Sequence, residues 1–364
     1  MVEIKADISF KKELKKISNS SLNECMQCGT CSVVCSLAPA NNPFPRKEMI
    51  WAGWGLKDKL LGNSDIWLCH QCGDCSTQCP RGVKPADVMS ALRQLSYRHY
   101  AKPGFLGKML SKPSLLPVAI LFPVIIISFI LYMAGTLNIP EGPVNYSRFF
   151  PHVWLNSSFT IITVFFYILF AIGLRRFWND LKLQFPGIKP DKSFIKSLFG
   201  VKNTILLHSN FNSCTSQNTR KISHFLVFYG FIILLIVTVY AILAVFTGKY
   251  PLTFTDPFKI TGNIANIVLL SGLGIMVYNR LANQKKFGNS NYSDWLLLAS
   301  ISLLTISGTC VELARFLNWH FAYHLYFFHL VTVWFVIIYL PYTKLGHIIY
   351  RTLAMAFSDS INRN

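Results

Sequence analysis

Eight of the ten cysteines fall in two runs with the same internal spacing. The runs read Cys25-x2-Cys28-x2-Cys31-x3-Cys35 and Cys69-x2-Cys72-x2-Cys75-x3-Cys79, the second followed by Pro80. Three thiolates on one tight loop can each bind a different iron of a [4Fe–4S] cube, whereas the fourth points away and serves the other cluster of a two-cluster domain. The spacing therefore predicts two clusters, held by Cys25, Cys28, Cys31 and Cys79 and by Cys69, Cys72, Cys75 and Cys35.

The alternative interpretation of these cysteines is a pair of zinc sites. Zinc sites usually contain two separated C-x2-C pairs, and four cysteines within eleven residues fit a cube better. Gly29 and Gly73 follow the second cysteine of each run, where a residue that tolerates positive φ is expected. His70, beside Cys69, is expected to pack or to hydrogen-bond to sulfur rather than to bind iron.

Apolar segments dominate the rest of the chain. Only 14% of the residues are charged, against about 25% in ordinary soluble domains. A helix needs about 20 apolar residues to cross a hydrocarbon core. Six stretches meet this requirement: Leu115–Leu137, Trp154–Leu174, His224–Phe246, Ile260–Tyr278, Trp295–Leu313 and Phe321–Leu345. The predicted fold is mainly α, a small two-cluster ferredoxin-like helical domain followed by a six-span transmembrane helix bundle.

The distribution of charge predicts the orientation in the membrane. Lys and Arg concentrate in the loops at 175–223 and 280–294, which the positive-inside rule assigns to the cytoplasm. Both termini and the cluster domain are then cytoplasmic, at the inner membrane, where thiols stay reduced. The net charge of +19 comes mostly from residues 106–364, which carry +14 against +5 in residues 1–105, so nucleic-acid binding is not expected. The predicted organisation is a cluster domain at 1–105, a linker at 106–114, a membrane domain at 115–355 and a cytoplasmic tail at 356–364.

Histidines near the membrane segments are candidate haem ligands, because haem irons in electron carriers take axial imidazoles. His329 and His347 are 18 residues apart. On one continuous helix this spacing puts both on the same face, about 27 Å apart. Pairing by depth joins His224 to His347 on the inner side and His152 to His329 on the outer side. One or two b haems are therefore expected, and two are favoured.

The remaining membrane-half histidines fit the haem geometry less well. His320 and His324 point away from the face that carries His329 on the same helix. His208 lies in the basic 175–223 loop and is expected at the loop or membrane surface.

Taken together, the motifs resemble a known arrangement. Residues 1–105 resemble the small iron–sulfur subunit of heterodisulfide reductase, and residues 115–355 are similar to the haem b membrane subunit of that enzyme and of respiratory nitrate reductase. The likeness rests on the two cysteine runs, the His329/His347 spacing and the stretch Arg220-Lys-x2-His224-x3-Phe228-x-Gly230-Phe231. The fusion of both parts resembles the membrane component of the quinone-interacting membrane-bound oxidoreductase (Qmo) complexes. Leu234 departs from this pattern, because it stands where the nitrate reductase protein has a second haem histidine.

The resemblance implies a function in electron transfer. Such a membrane component exchanges electrons between menaquinone and two flavin-containing, heterodisulfide-reductase-A-like subunits, which serve adenylylsulfate reductase in dissimilatory sulfur metabolism. The chain has no Cys-Cys dipeptide for a substrate-reducing cluster and no Gly-x-Gly-x-x-Gly for a dinucleotide, so no catalytic residue is assigned. Two alternatives stay open: a membrane subunit of a heterodisulfide-reductase-like or sulfite-reductase-linked complex, and a membrane redox sensor.

Overall fold

The computed structural model describes residues 5–213, 218–248, 252–253, 255–282 and 290–363. Helices and 3-10 turns form the secondary structure of these residues, which contain no strand. The N-terminal helices are α1 Ile8–Ser18, α2 Thr30–Val33, α3 Arg46–Trp54, α4 Lys57–Leu61, α5 Asp65–Leu68, α6 Asp74–Thr77, α7 Pro85–Tyr100 and α8 Gly104–Leu110. The following helices are α9 Leu116–Met133, α10 Tyr146–Phe149, α11 His152–Gln184, α12 Phe194–Gly200, α13 Lys202–Leu206, α14 Asn218–Phe246, α15 Pro257–Ala282, α16 Tyr292–Phe316, α17 Ala322–Tyr339 and α18 His347–Ser360. The predicted fold class is confirmed.

All six predicted membrane segments correspond to helices that are long and apolar enough to cross a bilayer. They are Pro113–Met133, His152–Gln184, Asn218–Phe246, Pro257–Ala282, Tyr292–Phe316 and Ala322–Tyr342. Many of their large apolar side chains face outward, which is the expected arrangement where lipid is the solvent. The prediction of six spans is confirmed, whereas the cytoplasmic orientation stays a prediction.

The cluster domain shares its core with two helices from the other half of the chain. Helix α11 has 33 residues, roughly 50 Å of helix where about 30 Å crosses a membrane. Its last turns therefore continue beyond the bundle, where Phe177 and Leu181 are fully buried in the cluster domain. Trp67, just before the second cysteine run, stacks on Tyr350 of α18 with ring centroids 5.3 Å apart. Much of the predicted 175–223 loop is therefore ordered helix packed on the cluster domain.

Close approach of the two halves depends on a glycine on each side of the contact, Gly62 of the cluster domain and Gly173 of α11. A Cβ at Gly173 of α11 would lie 2.7 Å from the carbonyl oxygen of Tyr100, at the end of α7. The Tyr100 hydroxyl in turn donates a 2.7 Å hydrogen bond to Asp180, about two turns further along α11. Helix α11 therefore connects the membrane bundle to the cluster domain by close backbone packing and a hydrogen bond.

The sixth span differs from the prediction at its end. The helix stops at Tyr339, and 3-10 turns at Leu340–Tyr342 and Lys344–Gly346 precede α18. Pro341 lies in this break, because proline cannot donate the backbone hydrogen bond that a continuing helix needs. The assumption that His329 and His347 share one continuous helix, and hence one face at about 27 Å, is wrong. In the segment predicted as the cytoplasmic tail, Phe357 and Asp359 of α18 are buried, and the division into domains stays a prediction.

Candidate functional site: two cysteine cavities and a histidine pair

The eight cysteines of the two runs surround two separate cavities. One cavity, here called the Cys69 cavity, is lined by Cys35, Cys69, Cys72 and Cys75. A second cavity, here called the Cys25 cavity, is lined by Cys25, Cys28, Cys31 and Cys79. Each cavity therefore gathers three cysteines of one run and the last cysteine of the other.

The cysteines of each cavity are spread around its wall. Within the described residues, no three His, Cys, Asp or Glu side chains are close enough to share a single metal ion. A [4Fe–4S] cube binds each thiolate through a different iron, so its ligands stand further apart than those of one zinc ion. The donor set and its spacing fit a cube better than zinc.

Both loops use the same unusual backbone. Gln27 and Gln71, between the first two cysteines of each run, have φ of 59° and 53°, and Gly29 and Gly73 have φ of 86° and 97°. Positive φ is uncommon for residues other than glycine and concentrates at functional sites. The expected positive φ of the two glycines is confirmed. The glutamines are a feature that composition alone did not indicate.

Hydrogen bonds reach several of the sulfurs. Gln27 Nε2 donates to Cys25 Sγ over 3.2 Å, and the backbone N–H of Val83 donates to Cys79 Sγ over 3.4 Å. The Thr30 hydroxyl lies 3.3 Å from Cys28 Sγ and lowers the pKa of that thiol. Hydrogen bonds to thiolates favour the charged form and tune the potential of a cluster.

Burial opposes ionisation of other thiols in these runs. Burial raises the pKa of Cys31 and of Cys35 to about 11, and it raises the pKa of Cys75 further. The neighbouring thiols add to this effect for Cys31 and Cys75. A bound iron cluster supplies the positive charge that buried thiolates need, because a metal cation inverts the local pKa pattern.

Two arginines hold the loop beside the Cys69 cavity. Arg93 Nη1 of α7 donates to the carbonyl oxygens of Ile66 and Cys69, over 2.9 and 2.8 Å. Arg220 of α14 donates a 2.7 Å hydrogen bond to the carbonyl oxygen of Gln71. A residue just before the third predicted span thus contacts the loop of the second cysteine run. Arg220 carried part of the family resemblance in the sequence, but its contact with this loop was not predicted.

His70 points into the Cys69 cavity and is only 8% exposed. Neither of its ring nitrogens has a hydrogen-bond partner in the part of the chain that the structure describes. Its ring lies edge-on to Phe211, with the centroids 5.0 Å apart. Phe211 in turn lies 5.8 Å from the ring of His224, again between centroids. His70 and Phe211 therefore connect the Cys69 cavity to the histidines of the membrane half.

Three histidines meet at the end of the bundle nearest the cluster domain. The rings of His224 and His347 have centroids 6.4 Å apart and are inclined by 79°. His208 Nε2 lies 2.7 Å from His224 Nδ1. His208 lies in a loop, as predicted, but it is only 4% exposed rather than at a surface. The structure therefore brings the predicted inner pair together and adds a third member.

The hydrogen bonds fix which nitrogens carry protons. His347 Nδ1 lies 2.5 Å from the carbonyl oxygen of Lys344, and His208 Nδ1 lies 3.1 Å from that of Leu206. A carbonyl only accepts, so both Nδ1 atoms are assigned as donors. Burial lowers the pKa of His347 to about 3 and also lowers the pKa of His208, which favours the neutral form of both rings. Neutral His208 accepts at Nε2, which assigns the proton of His224 to Nδ1. The Nε2 lone pairs of His224 and His347 are then available to a metal.

The predicted outer pair consists of His152 and His329. His329 Nδ1 lies 2.9 Å from the hydroxyl of Ser307 on α16. A Cβ at Gly308 would lie 3.3 Å from Cε1 of His329, so the ring packs closely on that glycine. His152 is the first residue of α11. The pairing of His152 with His329 stays a prediction. Cys214, a single thiol outside the runs, lies outside the described residues.

Comparisons with known proteins agree with this geometry. A 4Fe-4S dicluster domain matches residues 21–83, which include both cysteine runs. A heterodisulfide reductase C-subunit-like protein of Archaeoglobus profundus is 39% identical over 89 residues, 24% of this chain and 47% of that protein. The C-subunit of the H(2):CoB-CoM heterodisulfide,ferredoxin reductase of Methanothermobacter thermautotrophicus is 35% identical over 102 residues, 28% of this chain and 52% of that protein. The chain therefore spans about half the length of these relatives.

These features define a membrane-associated iron–sulfur electron-transfer protein with two [4Fe–4S] clusters. The model of the family Citrate utilization protein B matches residues 109–363, more than half of the chain. The chain belongs to the Citrate utilization protein B family. The resemblance of this half to haem b membrane subunits stays a prediction.

Proposed function

We propose that this chain is the membrane subunit of a quinone oxidoreductase that moves electrons between menaquinone and partner proteins through b haem and two [4Fe–4S] clusters. The histidine site is the group of His208, His224 and His347. The observation that carries the proposal is the series of ring contacts that joins this site to the loop of the second cysteine run. His224 reaches the Cys69 cavity through a single intervening ring, that of Phe211, which lies 5.8 Å from His224 and 5.0 Å from His70 between ring centroids.

The cysteines divide into two ligand sets in this proposal. One [4Fe–4S] cluster binds to Cys25, Cys28, Cys31 and Cys79, and the other to Cys69, Cys72, Cys75 and Cys35. The composition of the two cavity walls supports this crossed arrangement. His70 lies in the wall of the Cys69 cavity, and none of the described residues hydrogen-bonds to its ring nitrogens, which suits a hydrogen bond to a cluster sulfur.

His224 and His347 are the residues that would hold the haem nearest the clusters. Metal–imidazole bonds of about 2 Å, as for zinc, hold the centroids of two ligating rings roughly 6 Å apart. The 6.4 Å between these centroids fits that requirement. Both residues also engage Nδ1 in hydrogen bonds, which leaves Nε2 for iron. When bound, haem and clusters supply one-electron redox chemistry.

His329 is the proposed ligand of a second haem on the far side of the bundle, with His152 completing it. The hydrogen bond between His329 Nδ1 and Ser307 leaves Nε2 for iron, as at the inner site. Gly308 gives the ring room on α16. His152 is supported only by its depth at the start of α11.

The proposed partners follow from the resemblance. They are two flavin-containing, heterodisulfide-reductase-A-like subunits and adenylylsulfate reductase, with both termini and the cluster domain on the cytoplasmic face of the inner membrane. Similarity of the cysteine-rich half to the C-subunits of heterodisulfide reductases supports membership of a heterodisulfide-reductase-like complex. The same similarity favours, as a second candidate, a membrane subunit that serves a heterodisulfide-type or sulfite-reductase-linked complex without adenylylsulfate reductase. Affinity purification from native membranes distinguishes the two by the flavoproteins that are recovered.

The first test is a cofactor count on the purified chain. A pyridine-haemochrome assay together with iron and sulfide analysis should find two b haems and, from two cubes, about eight further irons per chain. Absence of haem overturns the proposed histidine roles, and half the cluster iron overturns the two-cluster arrangement.

The second test separates the two haems. His224→Ala and His347→Ala should each abolish the same haem, because both rings face one position. His329→Ala should remove a different spectral component. Redox-titrated difference spectra of the three variants measure this. Removal of the same component by His347→Ala and His329→Ala contradicts the two-haem arrangement.

A further inference from the structure

His208 occupies a position that its surroundings strongly constrain. It lies just after α13 with φ of 54°, in the left-handed region that residues with a Cβ rarely adopt. Its ring contacts Phe211 and Phe228, with centroids 5.8 and 5.2 Å away. Both ring nitrogens have partners, the carbonyl of Leu206 and Nδ1 of His224. Such an outlier, buried and fully hydrogen-bonded, is typical of a residue held in place for a function.

We infer that His208 is the positioning residue of His224, holding it in the tautomer and ring orientation that present Nε2 to a haem iron. This inference rests on the proposed function, since it takes His224 to be a haem ligand. His208 itself contacts no proposed cofactor through a free nitrogen, because both nitrogens are engaged. It acts only through His224.

The direction of the hydrogen bonds gives His208 this role. The carbonyl of Leu206 requires a proton on His208 Nδ1, so Nε2 presents a lone pair to His224. That lone pair requires a proton on His224 Nδ1. Loss of the acceptor lets His224 carry its proton on Nε2, where it blocks ligation, and lets the ring rotate. Outer hydrogen-bond partners of metal-ligating histidines commonly change metal affinity by about 10- to 100-fold when they are removed.

The other proposed ligand, His347, is also positioned by a hydrogen bond at Nδ1, but its partner is a backbone carbonyl. His347 is positioned by the backbone carbonyl of Lys344, which no side-chain substitution removes. The His224 side of the site is therefore the side on which a substitution can test positioning separately from ligation.

Two substitutions separate the imidazole from the backbone strain. His208→Gly removes the acceptor and suits the positive φ, so its backbone is not strained. His208→Gln keeps a side-chain acceptor, and Gln27 and Gln71 adopt φ of 59° and 53° in this same chain. His320→Gln is the matched control, because His320 is an exposed histidine outside the site.

The experiment uses the full chain purified in detergent, with apomyoglobin as the haem scavenger. His208→Gly should lose the inner haem to the scavenger about 10- to 100-fold faster than wild type and should change the low-spin haem signal in electron paramagnetic resonance. His208→Gln should restore much of the wild-type behaviour, and His320→Gln should match wild type. Cluster iron and sulfide should stay constant throughout.

Three outcomes overturn the inference. Equal haem loss and identical haem spectra in His208→Gly and wild type, with His224→Ala losing the haem, refute positioning by His208 while the proposed haem site stands. Loss of clusters together with haem in His208→Gly indicates a general structural role and also refutes it. A wild-type chain without haem, or full haem retention in His224→Ala, overturns the proposed function and this inference with it.

Discussion

The two cysteine cavities are built from nearly the same loop but have different surroundings. At the Cys25 cavity, Cys28 is exposed and the neighbouring Met26 has 58% of its surface exposed. At the Cys69 cavity, Cys75 and His70 are buried, and Arg220 of the membrane half contacts the loop. The spacing and the backbone conformation are shared.

The difference between the cavities indicates a division of labour. The Cys69 cavity has a ring-to-ring connection to the histidine site, whereas the Cys25 cavity has an exposed cysteine, Cys28, in its wall. A duplicated loop thus provides two similar one-electron sites, and the packing of the rest of the chain decides which of them faces the membrane half. We expect the Cys25 cavity to face partner proteins.

The largest expected effect comes from removing one cluster at a time. Cys72→Ser removes the cluster of the Cys69 cavity. With quinol as reductant, reduction of the remaining cluster, in the Cys25 cavity, should then be abolished, because the cluster nearest the histidine site is missing. Cys28→Ser should leave the cluster of the Cys69 cavity reducible. Electron paramagnetic resonance of freeze-quenched samples measures both, and haem content should stay intact. Equal loss of cluster reduction in the two variants would contradict the proposed order of electron transfer, in which electrons reach the Cys25-cavity cluster through the Cys69-cavity cluster.

A smaller loss, of one cluster only, tests the crossed ligands. Cys79→Ala should damage the cluster of the Cys25 cavity and Cys35→Ala the cluster of the Cys69 cavity, since each cysteine lines the cavity of the other run. The two cluster signals, identified by the previous pair of variants, provide the measurement. Damage by Cys79→Ala to the cluster of its own run would show that each run binds locally.

An effect on stability distinguishes the two surroundings further. Trp67→Ala should cost about 3–5 kcal/mol of unfolding free energy, because a fully buried tryptophan leaves a cavity. The Cys69-cavity cluster should then be the first lost on heating. Val33→Ala, near the Cys25 cavity and 85% exposed, should stay within about 0.5 kcal/mol of wild type. Visible absorbance of the clusters during thermal unfolding measures both, and equal sensitivity would contradict the difference in packing.

The smallest expected effect concerns a single hydrogen bond. Thr30→Val removes the hydroxyl beside Cys28 Sγ and should lower the potential of the Cys25-cavity cluster, because the bond stabilises negative charge on sulfur. The shift should stay below about 60 mV, a tenfold change in a one-electron equilibrium. A potentiometric titration should find the other cluster unchanged, and Thr30→Ser should restore the wild-type value.

Local patterns in the sequence predicted much of the cluster domain and the spans. Cysteine spacing is a local property of the loop, so it indicated the composition of both cavities before any contact was known. Apolar length is local too, and it identified all six spans. Helical periodicity failed where it crossed Pro341, because the argument from an 18-residue spacing needs one unbroken helix.

The histidine site could be predicted only in part. His224 and His347 were paired by depth and do lie together. His208 was missed because it packs on Phe211, which also contacts His70 of the cluster domain and carries no periodic signal. Long-range packing of this kind cannot be read from spacing. The positive φ of a non-glycine residue was the one local peculiarity, and it becomes visible only in three dimensions.

The shared core has a consequence for biosynthesis. Chains are made from the N-terminus at about 5–20 residues per second, so the cysteine runs leave the ribosome long before α18. Yet Trp67 stacks on Tyr350, and Phe357 belongs to the same core. The cluster domain therefore cannot complete its packing until the last helix has been translated and every intervening segment inserted. Maturation of the iron–sulfur half is in this way timed by assembly of the membrane half.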